Sequence, residues 1–371
     1  VTFDEVLATV ELPGRKDEAW KYTRADALLD APFAVPAAAR PVPTDLVDVG
    51  DAAARLVWID GVLDRTQSRW PDTVAVEPLP PVASTQGFDA LNLAFARDAL
   101  RLVFRAGVPP LTLVHVSTGG GALAAVRREV VVPAGVVAEI HEHYLRVGEG
   151  PTLVTGITDV TVEGSLTVLR TLDEPDGRHF GAVRADVRAG GRCAVTVAAF
   201  AAKVARVEVA ITLAEGADAA LSGLSLLRGG AHVDHHVTVD HVGPNAKSVQ
   251  RFRALLHGAS RSVFTGRVVV RPGADGTDAD QIHRALLLSD DGIVNARPQL
   301  EIHADDVKCA HGAAVGALDE EMLFYLRQRG LDPHAARTLL TEAFAAEIVA
   351  EVPASARERV ASRIRCWLES T

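Results

Sequence analysis

The alternation of apolar and polar positions changes character twice along the chain. Over residues 1–110 it is irregular, with helical pieces. Phe3, Val6, Leu7 and Val10 recur at helical spacing, Asp17 to Leu29 reads as a second helix carrying EAWKYTR (18–24), and FDALNLAFARDAL (88–100) reads as a third. RLVWIDGVLD (55–64) reads as two short strands around an Asp-Gly turn, and APFAVPAAARPVPTD (31–45) as a Pro-rich linker. From 111 to 312 short Val-rich segments alternate with Gly or Asp turns: REVVVPAG, SLTVLR, CAVTVAAF, HHVTVDH, GRVVVRPGAD, PQLEIHADD. Short strands at regular spacing imply an all-β unit, and about 200 residues is too long for a simple sandwich. A right-handed parallel β-helix of irregular coils accommodates the length, because each coil supplies short strands and a turn.

After 312 the period becomes helical. Asp319 is placed as an N-cap with Gly330 as a stop, Asp332 and Pro333 open a second helix, and Leu340, Phe344 and Ile348 line its face. Pro353 ends it, and Val360, Ile364, Trp367 and Leu368 mark a third helix. The predicted architecture is mainly β with flanking helices: an N-terminal helical region with linker (1–110), a central right-handed parallel β-helix (111–312) and a C-terminal helical domain (313–371).

Composition narrows the function. The 371 residues are 48% hydrophobic and 23% charged, which suits a globular chain rather than a disordered one. Aromatics supply only 5%, so the core must be built from small and β-branched side chains. The net charge of −10 argues against nucleic acid or an anionic membrane as a broad partner. The three cysteines, Cys193, Cys309 and Cys366, are dispersed and form no CxxC pair, so a reduced, cytoplasmic setting is expected. No apolar run approaches a membrane span, and the first residues lack a signal-type apolar stretch.

Three clusters carry candidate chemistry. In HVDHHVTVDH, strand alternation puts His232, Asp234, His236 and Asp240 on one face. That face suits a divalent metal, or a polar ladder at a solenoid surface or interface, which is the preferred reading. In EIHEHY, His141 and His143 with Glu149 resemble the first half of a cupin metal motif, although the Glu falls late and no second half follows. In ADDVKCAHGAAVG, Cys309 and His311 are two apart and face one way if extended. A thiolate and an imidazole suit iron or zinc, or a nucleophile and its base, while a lone Cys also serves as a small apolar filler. There is no P-loop, dinucleotide fingerprint, G-x-S-x-G or H-E-x-x-H. Three scattered cysteines cannot supply the four thiolates of an iron–sulfur cluster, so such chemistry needs a partner chain or other ligands.

These residues also carry a resemblance. HVDHHVTVDHVGPNAKSVQRFRALLHGASRSVFTGRVVV (232–270), TDADQIHRALLLS (277–289), PQLEIHADDVKCAHGAAVGALDEEMLFYLRQRG (298–330), ARTLLTEAFAAEIV (336–349) and the upstream DEAWKYTR (17–24) resemble the SufB/SufD family of iron–sulfur cluster assembly proteins. The resemblance implies a β-helix between helical ends and a non-catalytic scaffold role. It implies a heterodimer of SufB with SufD through the β-helices, or pairing of two copies in isolation, and docking of the SufC ATPase on the C-terminal helices. ATP would then act only through that partner, and a transient iron–sulfur cluster would be shared with SufB. SufB-type chains carry an essential Cys where His283 stands here, and a Glu where Gly312 follows His311. The CAHG form is the SufD type. The resemblance therefore makes His311, with Cys309 beside it, the candidate cluster or iron ligands at the SufB interface, and assigns the sulfur-accepting thiol to the partner. The rival expectation is a metal-dependent cupin-like enzyme using His141, His143 and Glu149.

Overall fold

The computed structural model describes residues 2–14, 16–36, 42, 54–80, 87–107 and 109–369. Most of the Pro-rich stretch 31–45 lies outside the described residues. The chain is mainly β, a solenoid of about seven turns with helices at both ends of the sequence. Among the described residues, the strands from β4 onward form two parallel faces, because most pair with the strand two places on, and β1 joins the first face by pairing with β5.

The first face stacks β1 (Ala54–Ile59), β5 (Leu111–Ser117), β7 (Val137–Arg146), the first halves of β9 (Ser165–Val187) and β10 (Arg192–Leu213), then β11 (Asp218–Arg228), β13 (Lys247–His257), β15 (Thr277–Leu287) and β17 (Val307–Ala317). The second stacks β4 (Leu100–Phe104), β6 (Ala122–Val132), β8 (Thr152–Val162), the second halves of β9 and β10, then β12 (His232–His241), β14 (Arg261–Val270) and β16 (Ile293–Ile302). β9 and β10 cross from one face to the other without a break, helped by register shifts around Ala199–Val204.

Alternation along each strand sends every second side chain into the lumen. Parallel register then builds columns such as Val162, Val187, Leu213, His241 and Val270, all fully buried. Burying each valine contributes about 1.5–3 kcal/mol, so small side chains repeated turn after turn replace the aromatic core this composition lacks. One corner repeats as well. Gly190, Gly216, Asn245 and Gly276 each adopt a left-handed backbone, with φ between 58° and 74°, and each donates its N–H to a carbonyl one turn on. A Cβ on Gly276 would collide with the Asn245 side chain, so glycine is required there.

The expected 55–64 hairpin is present. β1 meets β2 (Val62–Leu63) antiparallel through Asp60 and Gly61, both at positive φ. The sheet also begins earlier than the pattern change at 111 suggests, since β1 and β4 pair in parallel with β5 and β6, while β3 (Val74–Pro78) adds an antiparallel edge to β4. α1 (Phe3–Leu7) forms with a Thr2/Glu5 capping box. The expected helix over 17–29 is instead a 3-10 turn at Glu18–Trp20 and a short α2 (Ala25–Leu28). Its side chains bond to the solenoid and leave no continuous helical face to bury. α3 (Gly87–Phe95) is anchored by Asn92, whose amide donates to the Val126 and Thr155 carbonyls at 3.0 and 2.8 Å.

These N-terminal pieces cover the second face, where Trp20, Phe88 and Phe180 stack with centroids 4.4–6.1 Å apart. On the first face lie α5 (Pro333–Glu351) and α6 (Arg357–Glu369), whose Ala345, Ile348, Val360, Ile364 and Trp367 pack on Leu169, Leu224, Leu226 and Leu255. α4 (Glu320–Gln328) precedes them, N-capped by Asp319 as expected. Asp332 caps α5, with Pro333 in its first turn.

Candidate functional site

The solenoid ends in an open turn. β16 and β17 pair only with β14 and β15 among the described residues, so the outer edge of each strand is unmatched. Along β17 the residues Val307, Cys309, His311, Ala313 and Val315 take the lumen side, in register with the buried Thr277, Ala279, Gln281, His283 and Ala285 below them. Cys309 and His311 therefore do share one face. Because no further turn covers them, His311 is exposed and Cys309 half-buried. Cys309 packs with Val268, Val270, Ala274 and Ala279, and burial raises its thiol pKa, partly offset by a backbone hydrogen bond at Ala279.

One turn below, the lumen turns polar. Gln281 donates to Gln250 at 2.7 Å, and both side chains are fully buried. His283, at the position the resemblance matches to an essential Cys, is 2% exposed and stacks on Phe264 with centroids 4.9 Å and planes 8° apart. Burial pushes it down to about 4, so it is neutral at physiological pH. His235 and His241 also face the lumen, hydrogen-bonded at 2.9 Å to Ser225 and Ser248. Sequence reading of 232–241 weighed only the opposite face. The lumen histidines were readable from their alternation with Val233, Val237 and Val239.

The outer face of β12 lies where alternation predicts but is not an open seam. His232 contacts the Thr23 hydroxyl at 2.9 Å, and Asp234, 1% exposed, accepts from Arg206 at 2.7 Å. Arg206 also donates to the Ala19 carbonyl and lies 4.0 Å over the Trp20 ring. The chain's own EAWKYTR segment thus covers this part of the expected interface. His236 is half-buried beside it and pushed down to about 4, chiefly by burial. Asp240, on the same face, makes a two-pronged pair with exposed Arg271 at 2.8 and 2.7 Å.

The cupin-like expectation finds no support. His141 bonds to Glu139 at 2.7 Å and meets Ser355 at 3.2 Å. His143 bonds to Thr171 at 2.7 Å and meets Arg359 at 3.0 Å. Both rings are engaged with neighbouring side chains of the sheet and with the C-terminal segment at Ser355 and Arg359, and Glu149 sits in the turn beyond the strand. The parallel solenoid also differs from an antiparallel jelly roll. Among the described residues no three His, Cys, Asp or Glu side chains are grouped to hold a metal ion. No helix among them is long and apolar enough to cross a membrane.

Sequence reading also missed a charged cluster inside the solenoid. Glu142, 2% exposed, accepts from Arg128, from Arg170 at 2.7 Å and from the Tyr144 hydroxyl at 2.7 Å. At the other end of the chain, Met322, Phe324 and Tyr325 of α4 and Leu339 of α5 are exposed apolar or aromatic side chains.

A family model described as SUF system FeS cluster assembly, SufBD core domain, matches residues 115–344. The chain belongs to the SufB/SufD family. The iron-sulfur cluster assembly protein SufD of Escherichia coli (strain K12) is 27% identical to it, over 92% of this chain and 86% of that protein. SufBD family proteins of Synechocystis and Mycobacterium tuberculosis are 38% and 36% identical over 38% and 42% of this chain, and over 32% and 42% of their own lengths. Within the family this chain is most like SufD, whose match runs along nearly its whole length. It is thus a component of iron–sulfur cluster assembly, in a family whose members are generally scaffolds.

Proposed function

We propose that the chain is a non-catalytic scaffold that builds its site by pairing the open end of its solenoid with a SufB-type subunit. One observation carries the reading: the last turn leaves two strand edges unmatched and presents exposed His311 beside half-buried Cys309. A partner with a similar edge would match those N–H and C=O groups and bring thiols to the same place. The nascent iron–sulfur cluster is cargo at this seam. His311 offers an imidazole nitrogen, Cys309 offers a sulfur once its raised pKa is overcome, and the partner supplies the remaining thiolates.

The exposed side chains of α4 and α5, Met322, Phe324, Tyr325 and Leu339, are the proposed dock for the SufC ATPase. Closure of two ATPase copies would pull on the C-terminal helices, and through their packing on the first face would bias the seam between two arrangements. ATP then enters only through the partner. We read the solenoid as right-handed, the hand that parallel crossovers adopt. Its three parts are taken as 1–110, 111–312 and 313–371, and the dispersed thiols suit a reducing cytoplasm.

Co-expression with SufB- and SufC-type subunits, followed by anaerobic iron and sulfide analysis, tests the reading. His311→Ala is expected to leave the complex assembled and remove its iron and sulfide. Full iron and sulfide in that variant would reject the ligand assignment. Failure of the wild-type chain to co-purify with either subunit would reject the scaffold.

A further inference from the structure

The lumen column beneath His311 is built from two buried glutamines, with buried Ser248 and His283 in the columns to either side. Gln250, Gln281 and His311 occupy one register position on β13, β15 and β17. Neighbouring positions in that column are therefore one strand spacing apart, about 4.8 Å. The two glutamines are joined by one amide–amide hydrogen bond. The Gln281 amide nitrogen donates down to Gln250 at 2.7 Å. Its carbonyl oxygen is fully buried and has no partner. A carbonyl opposite a downward-facing NH2 points up the column, and the side chain above it is His311.

The rest of the turn fixes this amide. Gly266 on β14 has no Cβ, and a Cβ there would collide with the Gln281 amide nitrogen. Glycine thus leaves the space the Gln281 side chain occupies. A buried carbonyl left unpaired is costly, so an acceptor held this way is suited to a donor arriving from above. The candidates above it on β17 are Cys309, His311 and Ala313, and His311 alone is in register.

We propose that Gln281 is a positioning residue for His311. Turned inward, the His311 ring would donate its Nδ1–H to this carbonyl, a bond not made in the present arrangement, and so hold the Nε2 lone pair outward at the seam. The hydrogen bond made by one ring nitrogen sets which nitrogen is free to bind a metal, and carbonyl acceptors commonly do this behind ligating histidines. The inference deepens the role given to His311 above and rests on it for its purpose, but not for its test.

The test is the tautomer of His311 in the full-length chain. Nitrogen-15 histidine labelling and long-range proton–nitrogen correlation at a pH where the ring is neutral report which nitrogen bears the proton. His311→Ala assigns the signal by its loss. In the wild-type chain the Nδ1–H form is expected to dominate, the reverse of free imidazole side chains in water. Gln281→Leu is expected to return His311 to the solution preference for Nε2–H. Gln281→Glu, which keeps an acceptor at the same reach, is expected to retain Nδ1–H. An Nε2–H ring in the wild-type chain, an unchanged ring in Gln281→Leu, or loss of Nδ1–H in Gln281→Glu would each overturn the proposal. Should His311→Ala keep full iron and sulfide in the complex while the tautomer follows Gln281, the positioning contact stands and the ligand role falls.

Discussion

Arg206 lies 4.0 Å over the ring of Trp20 and donates at 2.7 Å to Asp234, so one guanidinium joins the N-terminal segment to the outer face of β12. The arginine is 1% exposed, as is its aspartate. Removing the cation leaves a buried carboxylate without its counter-charge, which is among the costliest single changes a fold can suffer. Arg206→Met is expected to destabilise the chain by about 3–5 kcal/mol. Adding Asp234→Leu should recover most of that loss, because the stranded charge leaves with it. Denaturant midpoints of the two variants check this, and equal midpoints would refute the ion pair as the cause.

The lumen histidines make the fold sensitive to mild acid. Burial is the first cause that lowers His235 to about 3 and His241 and His283 to about 4, against 6.5 when exposed. Below pH 6.5 the unfolded chain takes up protons that the folded chain refuses. Their contribution is therefore fully present above 6.5 and is lost as pH falls toward 4 and 3. Each such histidine should steepen the fall by up to about 1.4 kcal/mol per pH unit. His283→Phe retains a ring to stack on Phe264, so the slope between pH 6 and 5 should drop by about one proton. An unchanged slope would show that His283 is protonated in the folded chain.

Much of this architecture was legible because periodicity reports burial. The Asp60–Gly61 hairpin, the Asp319 and Asp332 caps and the alternation that pairs Cys309 with His311 all follow from local rules, and the structure has each of them. What failed depended on distant neighbours. The 17–29 segment carries helical spacing, yet Trp20 is claimed by Arg206 and Phe88, and Thr23 by His232, contacts between positions as much as 209 apart in sequence. His141 and His143 looked like ligands because nothing local showed that Ser355 and Arg359 would reach them. Glu142 gave no signal at all, since its partners Arg128 and Arg170 lie one turn to either side.

The three thiols should separate by burial. Cys193 is 2% exposed and pushed up to about 12, Cys309 is half-buried with a raised pKa, and Cys366 is exposed. The thiolate is the reactive form, so iodoacetamide near pH 8 should label Cys366 first, Cys309 more slowly and Cys193 only after unfolding. Peptide mass mapping against time gives the order. Adding the SufB-type partner should slow Cys309 selectively, because the open turn is then covered. Equal protection of Cys366, or none of Cys309, would place the seam elsewhere.

Phe324 and Tyr325 separate docking from folding. They are 62% and 53% exposed on α4, whereas Leu323 beside them is buried. Exchanging exposed side chains normally changes stability by less than about 0.5 kcal/mol. A large effect on binding would therefore report contact with another protein. Phe324→Glu with Tyr325→Glu is expected to keep the denaturation midpoint while weakening capture of the SufC-type ATPase at least tenfold, since desolvated aromatic anchors carry a disproportionate share of binding energy. Leu323→Glu should instead lower the midpoint by burying a charge. Capture undiminished in the double variant would move the dock off α4.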